Sequence, residues 1–515
     1  EIISMCWEMK NMLFDYDDND INSIYSYAKK LESRTFREIK NEFEESGLNF
    51  YCNPNENNNV KSVKVVKENE TGYITNIKAK GQLGGFLERY YFGYQPNSHQ
   101  GADFEKVGIE LKQTCIDQNK KGGYRAGERL SITNISYKEP VVDDFYASHV
   151  WEKMKLILLV QYLRDKSKDR LDYEIKFVNL FTPPQEDLNI IIQDYKKIND
   201  KIKQGKAHEL SESDTLYLGA CTKGSTAIKS LQPQYYGEHI PAKKRNYCFK
   251  QSYMNYVLQN YILKNKVPCE AIVKDENILK DVTFEEYITN KIAKYVGKSD
   301  KELCDLFQRE YNNNEAQWIH LAYLMLGIKG NHAEEFEKAG IVVKAIRIEK
   351  NNTIKENMSF PPFKFKELVQ ETWETSTLFK YFDTTKFLFV IYKAEGDCYR
   401  LIGSQLWNMQ YNDLNNIVRA GWENIQESIL KGVVLTPKET KKGIIYLNSL
   451  PKKKDNPILH IRPHAKKSAF LFKDGTQIGD LSNANELPDG QWMTTQSFWI
   501  NNTYLYTQLD VLKNL

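Results

Sequence analysis

Two stretches of this 515-residue chain nearly spell each other: Asp103-Phe-Glu-Lys-Val-Gly-Ile-Glu-Leu-Lys112 and Glu335-Phe-Glu-Lys-Ala-Gly-Ile-Val-Val-Lys344. Their flanks match in the same order. Leu87–Gly93 pairs with Leu321–Gly327, and Lys155–Val160 pairs with Lys386–Ile391. Further on, Leu218–Lys223 pairs with Leu459–His464 and Tyr247–Leu258 with Phe498–Leu509, at an offset that widens as loop insertions would make it. Collinear matches of this kind mean a duplicated domain, so the chain is expected to fold twice into one plan. Its length accommodates two or three domains, each with an adequate core.

The first copy carries a pattern with chemical content. In Val107-Gly-Ile-Glu-Leu-Lys112 a strand's two-residue period places Glu110 and Lys112 on one face and Ile109 and Leu111 on the other. Asp103, ending a short element just before, supplies a second carboxylate. Two carboxylates can hold a divalent cation through hard oxygen ligands, and a neighbouring ammonium can orient the attacking water and offset charge building on phosphorus. Taken alone the pattern also suits a surface strand with a solvated Glu–Lys pair. Its surroundings decide between the two readings.

Gly84-Gly-Phe-Leu-Glu88 reads as a helix, with Leu83, Phe86, Leu87 and Tyr90 at helical spacing. Glu128–Ser136 reads as a strand, and Ser148-His-Val-Trp-Glu-Lys-Met-Lys155 runs into the apolar Leu156–Val160. With the Asp103–Lys112 motif, these segments resemble the MutH family, the mismatch-repair endonuclease and its relatives among restriction enzymes. The resemblance implies that Glu88 adds an acidic group to a Mg²⁺ site formed by Asp103 and Glu110, with the Leu111 carbonyl as a further ligand. It implies that Lys112 and a second lysine, Lys153, complete the catalytic set. Lys155, two residues on, is the local competitor for that second role.

The second copy departs where chemistry would be lost. Aligned by sequence, Glu88 becomes Ala322, Glu110 becomes Val342 and Lys153 becomes Thr384. Glu335 and Lys344 persist, and a surface ion pair is the expected use for them. Base-reading features are stronger there: Leu459-His-Ile-Arg-Pro-His464 resembles the family's Arg-Pro-Lys loop, and Ser497-Phe-Trp-Ile-Asn501 its following aromatic segment. Arg462 is suited to a bidentate guanine contact, with His464 and Trp499 beside it. The first copy has Cys221 in place of the arginine and keeps Lys223, while Cys248 and Lys250 occupy its aromatic segment. Lys223, Cys248 and Lys250 are the first copy's DNA-contact candidates that the resemblance implies, and Cys221 is the departure from it.

Composition sets bounds without choosing a function. The hydrophobic fraction of 41% and charged fraction of 27% are ordinary for a globular protein, and no apolar run reaches membrane-spanning length. Eight scattered cysteines without a C-x-x-C pair suit a reducing bacterial cytoplasm. A net charge of +3 decides nothing about nucleic acid, because local Lys/Arg placement governs phosphate affinity.

The expected organisation is α/β, with two tandem restriction-endonuclease-like domains, each a mixed central sheet flanked by helices. Residues 1–60 are read as a helical extension ending in an Asn/Pro-rich break. A catalytic domain follows over 61–265, a helical connection over 266–310 and a degenerate DNA-binding copy over 311–515. The resemblance implies a Mg²⁺-dependent restriction endonuclease cutting duplex DNA at GATC. It also implies that the second copy binds another GATC site as effector, with dimerisation on DNA. A mismatch-repair nickase and a catalytically silent GATC-binding protein are the alternatives.

Overall fold

The computed structural model describes residues 14–46, 50–52, 63–65, 83–94, 101–223, 230–265, 268–312, 314–441 and 443–513. The Asn/Pro-rich break expected before residue 61 lies outside these residues. Backbone contacts divide the chain into two compact units: residues 1–207 with 217–268, and 208–216 with 269–515.

In the first unit, α1 (Ile21–Lys29) and α2 (Phe36–Glu45) precede α3 (Phe86–Tyr90). Thr35 starts α2 with a reciprocal cap, its side chain accepting from the Glu38 N–H while Glu38 accepts from the Thr35 N–H. Ile24, Ala28, Leu31, Phe36 and Ile39 share one core with Phe86, Leu87, Phe104, Ile109, Leu111, Leu158 and Val160. Residues 1–60 were expected to be an extension. Within the described residues, α1 and α2 instead form one wall of the domain, because their apolar faces are buried against the sheet.

That sheet has four strands: β1 (Glu110–Gln118), β2 (Tyr124–Ala126), β4 (Ile157–Leu163) and β5 (Ile175–Phe181), in the order β2-β1-β4-β5. β1 and β4 are parallel, and the other pairs antiparallel. Ile157 to Val160 are all fully buried, as a central strand covered on both faces requires. A second sheet joins β3 (Leu130–Asn134), β6 (Leu218–Thr222) and β7 (Arg245–Phe249) with β7 in the middle, both of its pairings antiparallel. Helices α4 (His149–Met154) and α5 (Gln185–Lys203) follow β3 and β5 in the chain.

The second unit repeats both sheets. β8 (Ile341–Ile348) lies parallel to β10 (Lys386–Glu395), which pairs antiparallel with β11 (Cys398–Trp407). β9 (Met358–Phe363) and β12 (Leu459–Pro463) flank β13 (Gln496–Ile500), again antiparallel. Helices α6 (Glu315–Met325), α7 (Glu334–Ala339) and α8 (Thr377–Thr384) precede the corresponding strands. The chain is thus α/β with two tandem domains of one plan.

Strand register tests the sequence alignment residue by residue. Cys248 faces Gly219 and Asn246 faces Cys221 in the first unit; Trp499 faces His460 and Ser497 faces Arg462 in the second. Cys221 and Arg462 are therefore equivalent positions, as are Cys248 and Trp499. The catalytic lysine needs a correction. Glu110 faces Ile157, whereas Val342 faces Phe387, and the helices end at Met154 and Thr384. Both observations align Lys153 with Asp383, not Thr384. The second copy's connection is two residues shorter than the first's, which the sequence alone could not locate.

Candidate active site

Asp103 reaches the strand edge through a tight reversal. Phe104 donates to the Ile109 carbonyl at 2.9 Å, and Gly108, at φ +70°, closes the turn in a conformation that side-chain-bearing residues rarely adopt. The chain therefore returns alongside itself, and the Asp103 carboxylate accepts the Leu111 N–H at 2.8 Å. That bond holds Asp103 beside the first residues of β1.

Glu110 opens β1 and is 2% exposed. A buried carboxylate is costly unless charges and hydrogen bonds compensate it. Here two ammonium groups do so: Lys112 Nζ lies 2.7 Å from Oε1 and Lys153 Nζ 2.9 Å from Oε2. Lys153 sits in the last turn of α4, which Ser148 starts by accepting from the Trp151 N–H. Lys155 is one residue beyond the helix and pairs with Glu152 at 2.7 Å. Of the two adjacent lysines, only Lys153 is bonded to Glu110.

Glu88 lies on the short helix α3 within the same electrostatic field. Burial, then Asp103, then Glu110 push its carboxyl up to about 7. Asp103 is raised to about 6, first by burial and then by Glu110, against the pull of the Leu111 N–H. Three carboxylates and two lysines thus share one partly desolvated edge, where burial first and neighbouring carboxylates second raise Glu88 and Asp103. Such an edge favours a cation. Among the described residues no three acidic, histidine or cysteine side chains form a ready-made metal cage. Asp103 and Glu110 act on one another electrostatically, and the Leu111 N–H ties Asp103 to the strand that Glu110 opens.

The DNA-reading candidates divide. Arg462 and His464 are exposed at the end of β12, and the Arg462 guanidinium lies over the Trp499 ring at 5.2 Å. His464 Nδ1 is 3.0 Å from Ser497 Oγ. A cleft of about 640 Å³ opens beside them, lined by Pro362, Pro463, His464, Lys466, Asn483 and Thr495. Lys223 is exposed and bonds Asn134 at 2.7 Å. Cys248 and Lys250 are a correction: they are 0% and 1% exposed, and the Cys248 thiol is turned to the Gly219 carbonyl. Tyr247 to Lys250 are buried without a break, so neither Cys248 nor Lys250 presents a surface to DNA.

In the second unit the expected Glu335–Lys344 surface pair is also corrected. Glu335 is buried and accepts the N–H groups of Ile272 and Val273, each at 2.9 Å. Asp383, at the position of Lys153, is buried and accepts from Ser211 Oγ at 2.9 Å. Sequence reasoning missed both, because their partners are far away along the chain.

Known proteins match this chain in the same regions. The family model described as the DNA mismatch repair enzyme MutH matches residues 92–194. The type II restriction enzyme Sau3AI of Staphylococcus aureus is 33% identical over 463 residues, covering 84% of this chain and 93% of its own length. MutH proteins of Shigella boydii and Vibrio campbellii are 25% and 26% identical, covering 37% and 36% of this chain and 83% and 82% of their own. Likeness to the restriction enzyme spans both copies, while likeness to MutH is confined to about one. The chain belongs to the MutH-like type II restriction endonucleases, enzymes that cut DNA at specific sites.

Proposed function

We propose that this endonuclease is Mg²⁺-dependent and cuts duplex DNA at GATC through the first copy, while the second copy binds a further GATC site as an effector. The observation that carries the catalytic half is Glu110, buried between Lys112 and Lys153 beside Asp103. In this reading Asp103, Glu110 and the Leu111 carbonyl hold the ion, and Glu88 adds negative charge to the site. Two carboxylates with several waters suit Mg²⁺, which gives up its hydration shell reluctantly. The ion, when bound, would polarise the scissile phosphate and acidify a water.

The chain's own groups do the rest. Asp103 is fixed by the Leu111 N–H, so one carboxylate is already oriented. Lys112 positions the attacking water and balances charge on the phosphate oxygens. Lys153 anchors Glu110 and presents its ammonium to the same phosphate. Arg462, held over the Trp499 ring, has the planar fork suited to guanine, with His464 alongside. Lys223 serves as a backbone contact in the first copy. Pairing of two chains on DNA would let two first copies cut both strands.

The expected result is cleavage of a plasmid with GATC sites in Mg²⁺, none in EDTA, and none of a plasmid lacking GATC. Glu110→Ala should abolish cleavage while a GATC duplex is still bound in a gel-shift assay. Full activity of that variant defeats the catalytic assignment, and cleavage without GATC defeats the specificity. Nicking of hemimethylated DNA alone would select the repair-type reading.

A further inference from the structure

Among the described residues the Tyr94 hydroxyl, beside the site, is buried and finds no hydrogen-bond partner; Gln113 Oε1 and Thr114 Oγ1, on β1, share that state. Such groups are rare in folded proteins, and a ligand or ion bound in the working state is one of the few reasons to keep one. Tyr94 is also firmly placed. Gly93, at φ +71°, turns the chain after α3, and the Tyr94 N–H donates to the carbonyl of Glu88 at 2.9 Å. The Tyr94 ring packs edge-on against Phe104, the neighbour of Asp103, with centroids 5.6 Å apart. The ring is therefore fastened to both segments that deliver acids to the site. After burial, the charges that most affect its phenol are Asp103 and then Glu88, and both hold the proton on oxygen.

We propose that Tyr94 is a positioning residue of the endonuclease site, whose hydroxyl donates its one proton to the Asp103 carboxylate when a divalent cation is bound. The proposal rests on the reading of Asp103 and Glu110 as cation ligands. Neither the composition nor the D-x₆-E-x-K spacing points to it. In the metal-free chain the hydroxyl is a liability; in the loaded chain it holds the ligand Asp103 in register, as outer partners of metal ligands do.

Tyr94→Phe removes one oxygen and keeps the ring. The full chain without DNA is titrated with Mn²⁺ by calorimetry, and its melting temperature is measured in EDTA. Mn²⁺ affinity should fall by roughly tenfold, while the metal-free melting temperature stays level or rises, since an unsatisfied buried group has been deleted. The Mg²⁺ concentration for half-maximal cleavage should rise in parallel. Unchanged Mn²⁺ affinity overturns the proposal, whether or not the melting temperature falls. Asp103→Asn is the control. Lost Mn²⁺ binding there with normal binding in Tyr94→Phe removes Tyr94 alone, whereas normal binding in both removes the cation site itself.

Discussion

Glu110 and Val342 occupy the same place on the same strand of two copies of one fold, yet one is a liability and the other a support. Around Glu110 the protein keeps a carboxylate almost fully out of water and commits two lysines to it. Around Val342 the same face is packed: Val342 lies against a core containing Ile346, Phe387, Phe389 and Phe382. Once the carboxylate was lost, nothing opposed hydrophobic filling. The ammonium position changed with it, Lys153 giving way to Asp383, which is held by Ser211. Dead sites are not merely missing a residue; their surroundings adapt.

The comparison breaks most visibly at Glu110. Glu110→Val, which writes the second copy's residue into the first, should reduce cleavage by on the order of 10³-fold or more. The reciprocal Val342→Glu should create no second activity, because Asp383 stands where the second ammonium is needed and the new acid, set against an apolar core, has only Lys344 to compensate it. Its melting temperature should fall by several degrees in a thermal scan. Cleavage restored to a Glu110→Val chain by Val342→Glu would show that the copies remain interchangeable.

Lys153 and Lys155 sharpen the same point on one helix end. Lys153→Ala should lower kcat by about 10²-fold, since it frees Glu110 and removes a charge beside the phosphate. Lys155→Ala should remain within about threefold, its pairing with Glu152 being local. Equal losses in single-turnover cleavage would mean that the bond to Glu110 does not identify the catalytic lysine.

A smaller effect is expected at the base-reading strand. Arg462→Ala should weaken binding of a GATC duplex to the second copy by roughly 5- to 150-fold, the equivalent of one bidentate base contact. The effect is best read in a Glu110→Ala background, where DNA survives the assay. Cys221, at the equivalent position of the first copy, is buried, so Cys221→Ala should leave first-copy binding unchanged. If Arg462→Ala weakens all duplexes alike, the arginine contacts phosphate rather than a base.

The duplication and the two-strand chemistry were legible because they live in short, local spacing. A period of two brings Glu110 and Lys112 together, and β12 and β13 pair in the register that the alignment required. Other features escaped. The bond that sets Lys153 apart from Lys155 depends on where α4 ends, and the shift of Lys153's equivalent from Thr384 to Asp383 depends on a shortened connection. Burial of Cys248 and Lys250 depends on what covers β7 and the residue after it. The grip of Glu335 on Ile272 and Val273 spans more than sixty residues, beyond any pattern in a window. Residues 208–216 belong to the second unit although they precede β6 of the first, and nothing in their composition announces it.

The subtlest contrast is between Asp103 and Glu335, one acid inherited by both copies. Asp103 ionises at about 6 in the fold against an ordinary 3.8. Its charge therefore costs stability that accumulates as pH rises from about 4 to 6 and persists above that range. Asp103→Asn keeps an oxygen for the Leu111 N–H and removes the charge. In EDTA its melting temperature should exceed that of the parent by a few degrees at pH 8, with the gap closing toward pH 4. Glu335 is raised by burial as well, but two backbone N–H groups pull it back down. Glu335→Gln must turn an amide NH₂ toward one of those donors and strand it, at a cost of about 1–3 kcal/mol. Its melting temperature should be lower at every pH. The first copy should gain stability from losing its acid and the second should lose it, as expected if the first acid is kept for chemistry and the second for folding. A pH-independent loss at Asp103→Asn would make both acids structural and remove the distinction.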